Sequence, residues 1–153
     1  MEQKNVVFHF DRIYLKDVSF ESPRSPTIFL ESDYDPKIDV QLQISHQTLD
    51  QKRGVFEVVL KAKIQAATNA ETAFLVEVQQ AGTFTITGLS EQDLEKVLEA
   101  TCPSALFPFL REQVNRLVTE GGFPAMLLQP VNFEAMYEQK APPEDSADGG
   151  LSH

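Results

Sequence analysis

The side chains able to do covalent chemistry are few: Cys102 as a thiol nucleophile, and His9, His46 and His153 as bases. Cys102 stands just before Pro103, a residue tolerated in a first helical turn, and a helix start can lower a thiol's pKa. No histidine lies near it in sequence, and a small buried side chain at a helix junction accounts for it without catalysis. The histidines form no pair at helical or hairpin spacing, and one cysteine builds neither a thiolate zinc site nor an intrachain disulfide. Gly82 and Gly88 punctuate a strand and Gly121-Gly122 ends a helix, so no glycine loop opens a helix under a phosphate. The expectation is a protein that is not an enzyme and uses no metal or cofactor. What remains is surface chemistry. Asp17 and Glu21, four apart on one strand, project from one face, and apolar side chains are in excess.

The bulk properties limit the partners. Across 153 residues, 13 Lys+Arg stand against 23 Asp+Glu, a formal net charge of −10. That charge repels phosphate backbones and anionic lipid surfaces and favours basic partners, so nucleic acid is not expected as a ligand. A chain of this length buries roughly two thirds of its unfolded surface, enough for one core. The single cysteine suits a reducing cytosol, and Met1-Glu2-Gln3-Lys4-Asn5 lacks the apolar stretch of a signal peptide. No window approaches a membrane span, so a cytoplasmic location without membrane insertion is expected.

The positioning elements read as four strands followed by helices. From Phe8 to Phe20 the residues Phe8, Phe10, Tyr14, Val18 and Phe20 fall on one row at period two, interrupted by Arg12 and Lys16. Neither row is cleanly apolar, which suits a sheet edge that pairs with something. Residues 22–36, with Pro23, Pro26 and Pro36, make an irregular crossover. Ile38, Val40, Leu42 and Ile44 then alternate with polar residues as a half-buried strand. A turn containing Gly54 leads to Phe56, Val58, Leu60, Ala62 and Ile64, and a further strand carries Phe74, Val76 and Val78, with Gly82 read as a bulge. Short connections argue an antiparallel sheet.

Ser90 caps a helix to about Ala100, with Asp93 at its third position. Pro103 restarts the chain, and Leu106, Leu110, Val114 and Leu117 keep helical spacing as far as Gly121-Gly122, with a kink or 3₁₀ start at Pro108. Asn132 caps a last helix, Phe133 to about Lys140. The fold class is therefore α+β, a four-stranded antiparallel sheet with helices on one face. Residues 1–141 form one domain, and 142–153 an acidic tail expected to be disordered. Apolar residues such as Val59 and Leu75 on the second sheet face, and the run Phe123–Val131, exceed what one helical layer needs to cover. Such a surplus points to oligomer interfaces and an exposed groove.

Several stretches in order along the chain carry a resemblance: Ile13 to Pro23, Phe56 to Leu60, Glu71 to Gln80, Cys102-Pro103 with Leu106-Phe107-Pro108 and Arg111-Glu112, and Gly122-Phe123-Pro124 with Pro130-Val131-Asn132-Phe133. Together they resemble the SecB family of protein-export chaperones. The resemblance implies an ATP-independent holdase that binds unfolded precursors of exported proteins and delivers them to the translocation ATPase SecA. It implies a homotetramer built as a dimer of dimers, with the first strand paired to its copy. The implied client groove holds Tyr34, Val40, Leu42, Ile44, Met126, Leu128 and Tyr137, and the implied SecA contact Asp17, Glu21, Leu75 and Glu77. The implied oligomer interface holds Phe8, Phe10, Tyr14, Val18, Val76, Val78, Gln80, Leu106 and Leu110. Tyr34 replaces a tryptophan of well-known members, and Pro142-Pro143 shortens the last helix. Read from the residues alone, two other functions fit the apolar surplus: a binder of small apolar ligands in an enclosed pocket, and a scaffold subunit without clients.

Overall fold

The computed structural model describes residues 5–140; the tail assigned to 142–153 lies outside the described residues. Strands β1 (Val7–Glu21), β2 (Lys37–Asp50), β3 (Val55–Thr68) and β4 (Glu71–Thr87) form one antiparallel sheet in the order β1-β4-β3-β2. The first two strands therefore occupy opposite edges, and residues 22–36 carry the chain from one edge to the other. Within that crossover Thr27–Leu30 makes a 3₁₀ turn. Arg24 pins it by donating to the Thr72 carbonyl at 3.3 Å and to Glu31 at 2.9 Å. Asn69 and Ala70, both at positive φ, turn β3 into β4 in two residues, the geometry that matches strand twist in a tight hairpin.

The even-numbered residues of β3 and β4 face the helices and form the core: Val58, Leu60, Ala62, Ile64, Phe74, Val76, Val78 and Phe84 are all buried. Above them lies α2 (Cys102–Glu120), whose Leu106, Leu110, Val114 and Val118 recur every four residues as one buried stripe. Gly82 is not a bulge. It pairs in register with Ile13 and Val58, and a Cβ there would meet Leu106 at 3.2 Å and the Arg12 carbonyl at 3.1 Å, so its bareness lets α2 approach the sheet.

The bulges are in β1. Its register against β4 shifts between Phe10 and Arg12 and again between Leu15 and Asp17. Each extra residue reverses the alternation. The helix-side row becomes Phe8, Phe10, Ile13, Leu15, Val18 and Phe20, wholly apolar, while Arg12, Tyr14, Asp17, Ser19 and Glu21 face outward. This corrects the strict period-two reading, which put Tyr14 beside Phe10 and found both rows mixed.

The helical part begins as expected and then departs. Ser90 Oγ accepts from the Asp93 N–H at 3.1 Å, starting α1 (Glu91–Lys96). The chain does not break and restart at Pro103. A wide π turn over Val97–Thr101 joins α1 directly to α2, its Cys102 N–H reaching back five residues to the Val97 carbonyl. Pro103 brings no N–H to the ladder, and the widened turn takes up the mismatch. Pro108 lies inside α2, beyond the irregular stretch. Cys102 is thus mid-helix and fully buried, and burial pushes its thiol up to about 12, the reverse of an acidified thiol at a helix start.

Candidate functional site

The end of α2 builds the first part of the site. The Gly122 N–H reaches the Thr119 carbonyl at 3.0 Å and the Phe123 N–H the Val118 carbonyl at 3.1 Å, with Gly122 at φ +94°. This paired cap aims the next residue back at the helix. Phe123 is accordingly buried, its ring centroid 5.0 Å from Phe74, 5.4 Å from Phe29 and 5.8 Å from Tyr34. Gly122 is required twice over, since a Cβ there would lie 2.9 Å from the Phe29 ring. Beyond it the extended loop is fixed by the Met126 N–H donating to Asn115 Oδ1 at 2.9 Å.

Two clefts open between this loop, the crossover and β2. One, of about 150 Å³, is walled by Ile28, Phe29, Glu31, Tyr34, Phe123 and Pro124. The other, of about 330 Å³, is walled by Tyr34, Pro36, Ile38, Phe74, Pro124 and Met126. They share Tyr34 and Pro124, so Tyr34 divides one continuous depression; burial raises its phenol pKa. From Ile38 the helix-side row of β2 runs on through Val40, exposed, and Leu42 and Ile44, half-buried, to His46. At ~3.3 Å per residue this row spans roughly 26 Å. At its far end His46 Nε2 lies 3.1 Å from Glu99 of the π turn, and Lys140 of α3 (Phe133–Lys140) lies 3.4 Å from the same carboxylate.

The expected groove residues are distributed along this line. Tyr34 and Met126 share a cleft, Val40, Leu42 and Ile44 form the strip, and Tyr137 stands on α3 with its hydroxyl 3.3 Å from Glu95. Leu128 is 7% exposed, about as buried as the Phe123 that walls a cleft, but it lines neither cleft. Phe29, Ile38 and Phe74 also wall the clefts although outside the expected groove set, as does Phe123 from the apolar run noted in the sequence. The apolar run Ile28-Phe29-Leu30 inside an otherwise polar crossover was the available signal.

The opposite sheet face carries the acidic set. Asp17 pairs with Gln79, Ser19 with Glu77 and Glu21 with Leu75, so Asp17, Glu21, Leu75 and Glu77 share one face on two adjacent strands. Basic residues adjoin them on the neighbouring strand: Lys63 of β3 stands opposite Glu77 and Lys61 opposite Gln79. Further along the same face Glu57 is almost fully buried. It accepts from Lys16 Nζ at 2.8 and 3.0 Å, from Gln47 Nε2 at 2.9 Å, and from the Tyr14 hydroxyl. Burial alone would raise the Glu57 carboxyl. The hydrogen bonds from Lys16, Tyr14 and Gln47 and the Lys16 charge outweigh it and hold the group at about 2, while burial and the Glu57 carboxylate push the Tyr14 phenol up to about 12.

A family model described as preprotein translocase subunit SecB matches residues 1–143. The chain belongs to the SecB family. Relatives named protein-export protein SecB are 44% identical over 147 residues in Chromohalobacter salexigens, covering 95% of this chain and 88% of the relative. In Hahella chejuensis the figures are 45% over 152 residues and 94% of each chain. Its function is accordingly that of a chaperone serving protein export. The fold is also that of a SecB-like chaperone from Mycobacterium tuberculosis, solved with a ChAD peptide from the HigA1 antitoxin. The TM-score is 0.68 at 17% identity, over 81% of this chain and 90% of the other.

The residues expected at a SecB oligomer interface fall into three groups. Phe8, Phe10 and Val18 are exposed on the edge strand, with Leu15 and α2's Phe109 exposed as well. Val76, Val78, Leu106 and Leu110 have no exposed surface, and Gln80 is 3% exposed. Those five are core of the single chain and offer a second copy nothing to touch. The helix-side face of β4 and the buried stripe of α2 cover one another within the single chain. Tyr14 faces the other side of the sheet and is engaged with Glu57.

Proposed function

We propose that this SecB-family chain is an ATP-independent holdase of the cytosol, with precursors of exported proteins as clients and the translocation ATPase SecA as their receiver. The observation that carries the reading is the pair of clefts joined at Tyr34 and extended along β2. Burying one aliphatic or aromatic anchor contributes only about 1–3 kcal/mol, so firm holding of an unfolded chain needs several anchors in line. A depression of rings followed by a strip of Val40, Leu42 and Ile44, with Tyr137 beyond, suits that requirement and selects for apolar character over sequence. No step in it calls for nucleotide or covalent chemistry. The mycobacterial SecB-like chaperone of this fold, solved with a peptide, supports a polypeptide as the occupant.

The receiver reading rests on Asp17, Glu21 and Glu77 around the half-buried Leu75, a charged rim with an apolar centre suited to a compact basic segment. The assembly reading, a homotetramer formed as a dimer of dimers, rests on β1. Its outer edge has no neighbouring strand among the described residues, and its helix-side row leaves Phe8 and Phe10 in water. Pairing of β1 with its copy about a two-fold axis satisfies the backbone and covers those rings. The test is direct. Purified protein should slow refolding of an unfolded precursor without nucleotide, and light scattering at micromolar concentration should give four times the chain mass. Unaltered refolding sinks the holdase; a monomer sinks the assembly.

A further inference from the structure

Two bulges decide which β1 side chains reach the outer face, and the second is tied down. Between them the alternation is out of phase. Without the extra residue at Lys16 it would continue so, sending Asp17, Ser19 and Glu21 to the helix side and Val18 and Phe20 to the outer face. A bulge gives up regular ladder bonding at its own residue, so it persists where something else fixes it. Here the bulged residue itself, Lys16, donates to both carboxylate oxygens of Glu57, at 3.0 and 2.8 Å. Tyr14, two residues earlier, donates to the same carboxylate, and Gln47 from β2 completes its shell at 2.9 Å. The anchor thus stands on β3 and holds β1 across the intervening strand. Tyr14 pairs with Ala81 of β4, whose small side chain leaves room to reach over it. Glu57 is 6% exposed beneath these groups, so it is shielded from anything that docks on the face.

We propose that Glu57 is a positioning residue for the acidic row: by holding Lys16 in its bulge it sets the phase of β1 and keeps Asp17 and Glu21 beside Leu75 and Glu77. The assignment rests on reading that row as the docking site for a basic segment of SecA. It differs from a merely stabilising role, because its effect passes through Asp17 and Glu21 and leaves the client groove alone.

The experiment compares Glu57→Gln, Asp17→Asn and the double variant, each as the full chain. SecA affinity, capture of an unfolded precursor, and amide exchange along β1 are measured. Glu57→Gln should weaken SecA binding about five- to tenfold, near the loss from Asp17→Asn, while capture is retained. The double variant should be no weaker than the worse single one, since both act through the same row. Exchange should rise at residues 16–21 and stay unchanged in β3. Lys16→Gln, at a more exposed position than Glu57, repeats the test if Glu57→Gln does not fold. Unchanged SecA affinity in Glu57→Gln, multiplying losses in the double variant, or an equal fall in client capture overturns the proposal. If Asp17→Asn has no effect on SecA, the docking reading fails instead. Exchange then decides alone: a rise confined to residues 16–21 in Glu57→Gln upholds the positioning role, and no rise overturns it.

Discussion

On the helix side of the sheet, near Tyr34, the walls are rings and prolines held by a helix cap and one hydrogen bond from the Met126 N–H to the Asn115 side chain. On the other side, around Glu57, four polar side chains from three strands fix one another at hydrogen-bonding distance. The first surface has shape and apolar area but few directional groups, which suits the tolerant client groove proposed above. The second has charge and register, and its contacts depend on which way one strand faces. On the proposed reading one sheet supports a tolerant surface and a selective one, and the selective one has the tighter polar scaffold.

The sharpest way to separate the two is charge reversal. Replacing Asp17, Glu21 and Glu77 by Lys should abolish SecA binding, measured at moderate salt, and leave precursor capture intact. The binding it removes should itself weaken as salt rises, because exposed charges are screened beyond about 8 Å. Loss of both activities would merge the two surfaces into one. The converse change comes next in size. Tyr34, Leu42 and Tyr137 together replaced by Ser should weaken capture by roughly a hundredfold, the sum of three partly buried anchors at about 1 kcal/mol each. SecA affinity and oligomer mass should not move.

Acid should affect the polar scaffold selectively. The Glu57 carboxyl is held at about 2 against an ordinary 4.5, so its stabilisation is complete above pH 4.5 and is lost as pH falls towards 2. Denaturant unfolding across that window should show a loss on the order of 2–3 kcal/mol in the native chain that is missing in Glu57→Gln. Equal losses in both would assign acid sensitivity elsewhere. The smallest expected effect is a gain. Lys63 stands opposite Glu77 and opposes a basic partner, so Lys63→Gln should raise SecA affinity about two- to threefold at low salt and by nothing at high salt.

Much of this architecture was legible in the chain. The alternation at Ile38–Ile44 identified β2 and its apolar strip, and Ser90, Asn132 and Gly121-Gly122 marked helix ends that the structure keeps. The phase of β1 was not legible, because a bulge inserts one residue without any residue type announcing it. The mixed rows at Arg12 and Lys16 were its trace. Pro103 suggested a break, yet a π turn absorbs a missing donor as well as a break does. Burial of Val76, Val78, Leu106 and Leu110 followed from which face α2 covers, a tertiary fact that local pattern does not contain.

The strand order has a kinetic side. Strands β2, β3 and β4 are joined by short turns and can pair as each is completed, but within the chain β1 pairs only with β4, so Phe8 finds Ile86 across about half the chain. Contacts of such sequence separation form late, and synthesis delivers β1 first. Until residues 71–87 are made, the first strand, bearing Phe8, Phe10, Leu15 and Val18, lacks the strand it pairs with in the folded chain. During its own birth each copy therefore exposes the kind of apolar segment proposed above as client, and on that reading a nascent chain of this protein should be among the first clients that the mature protein meets.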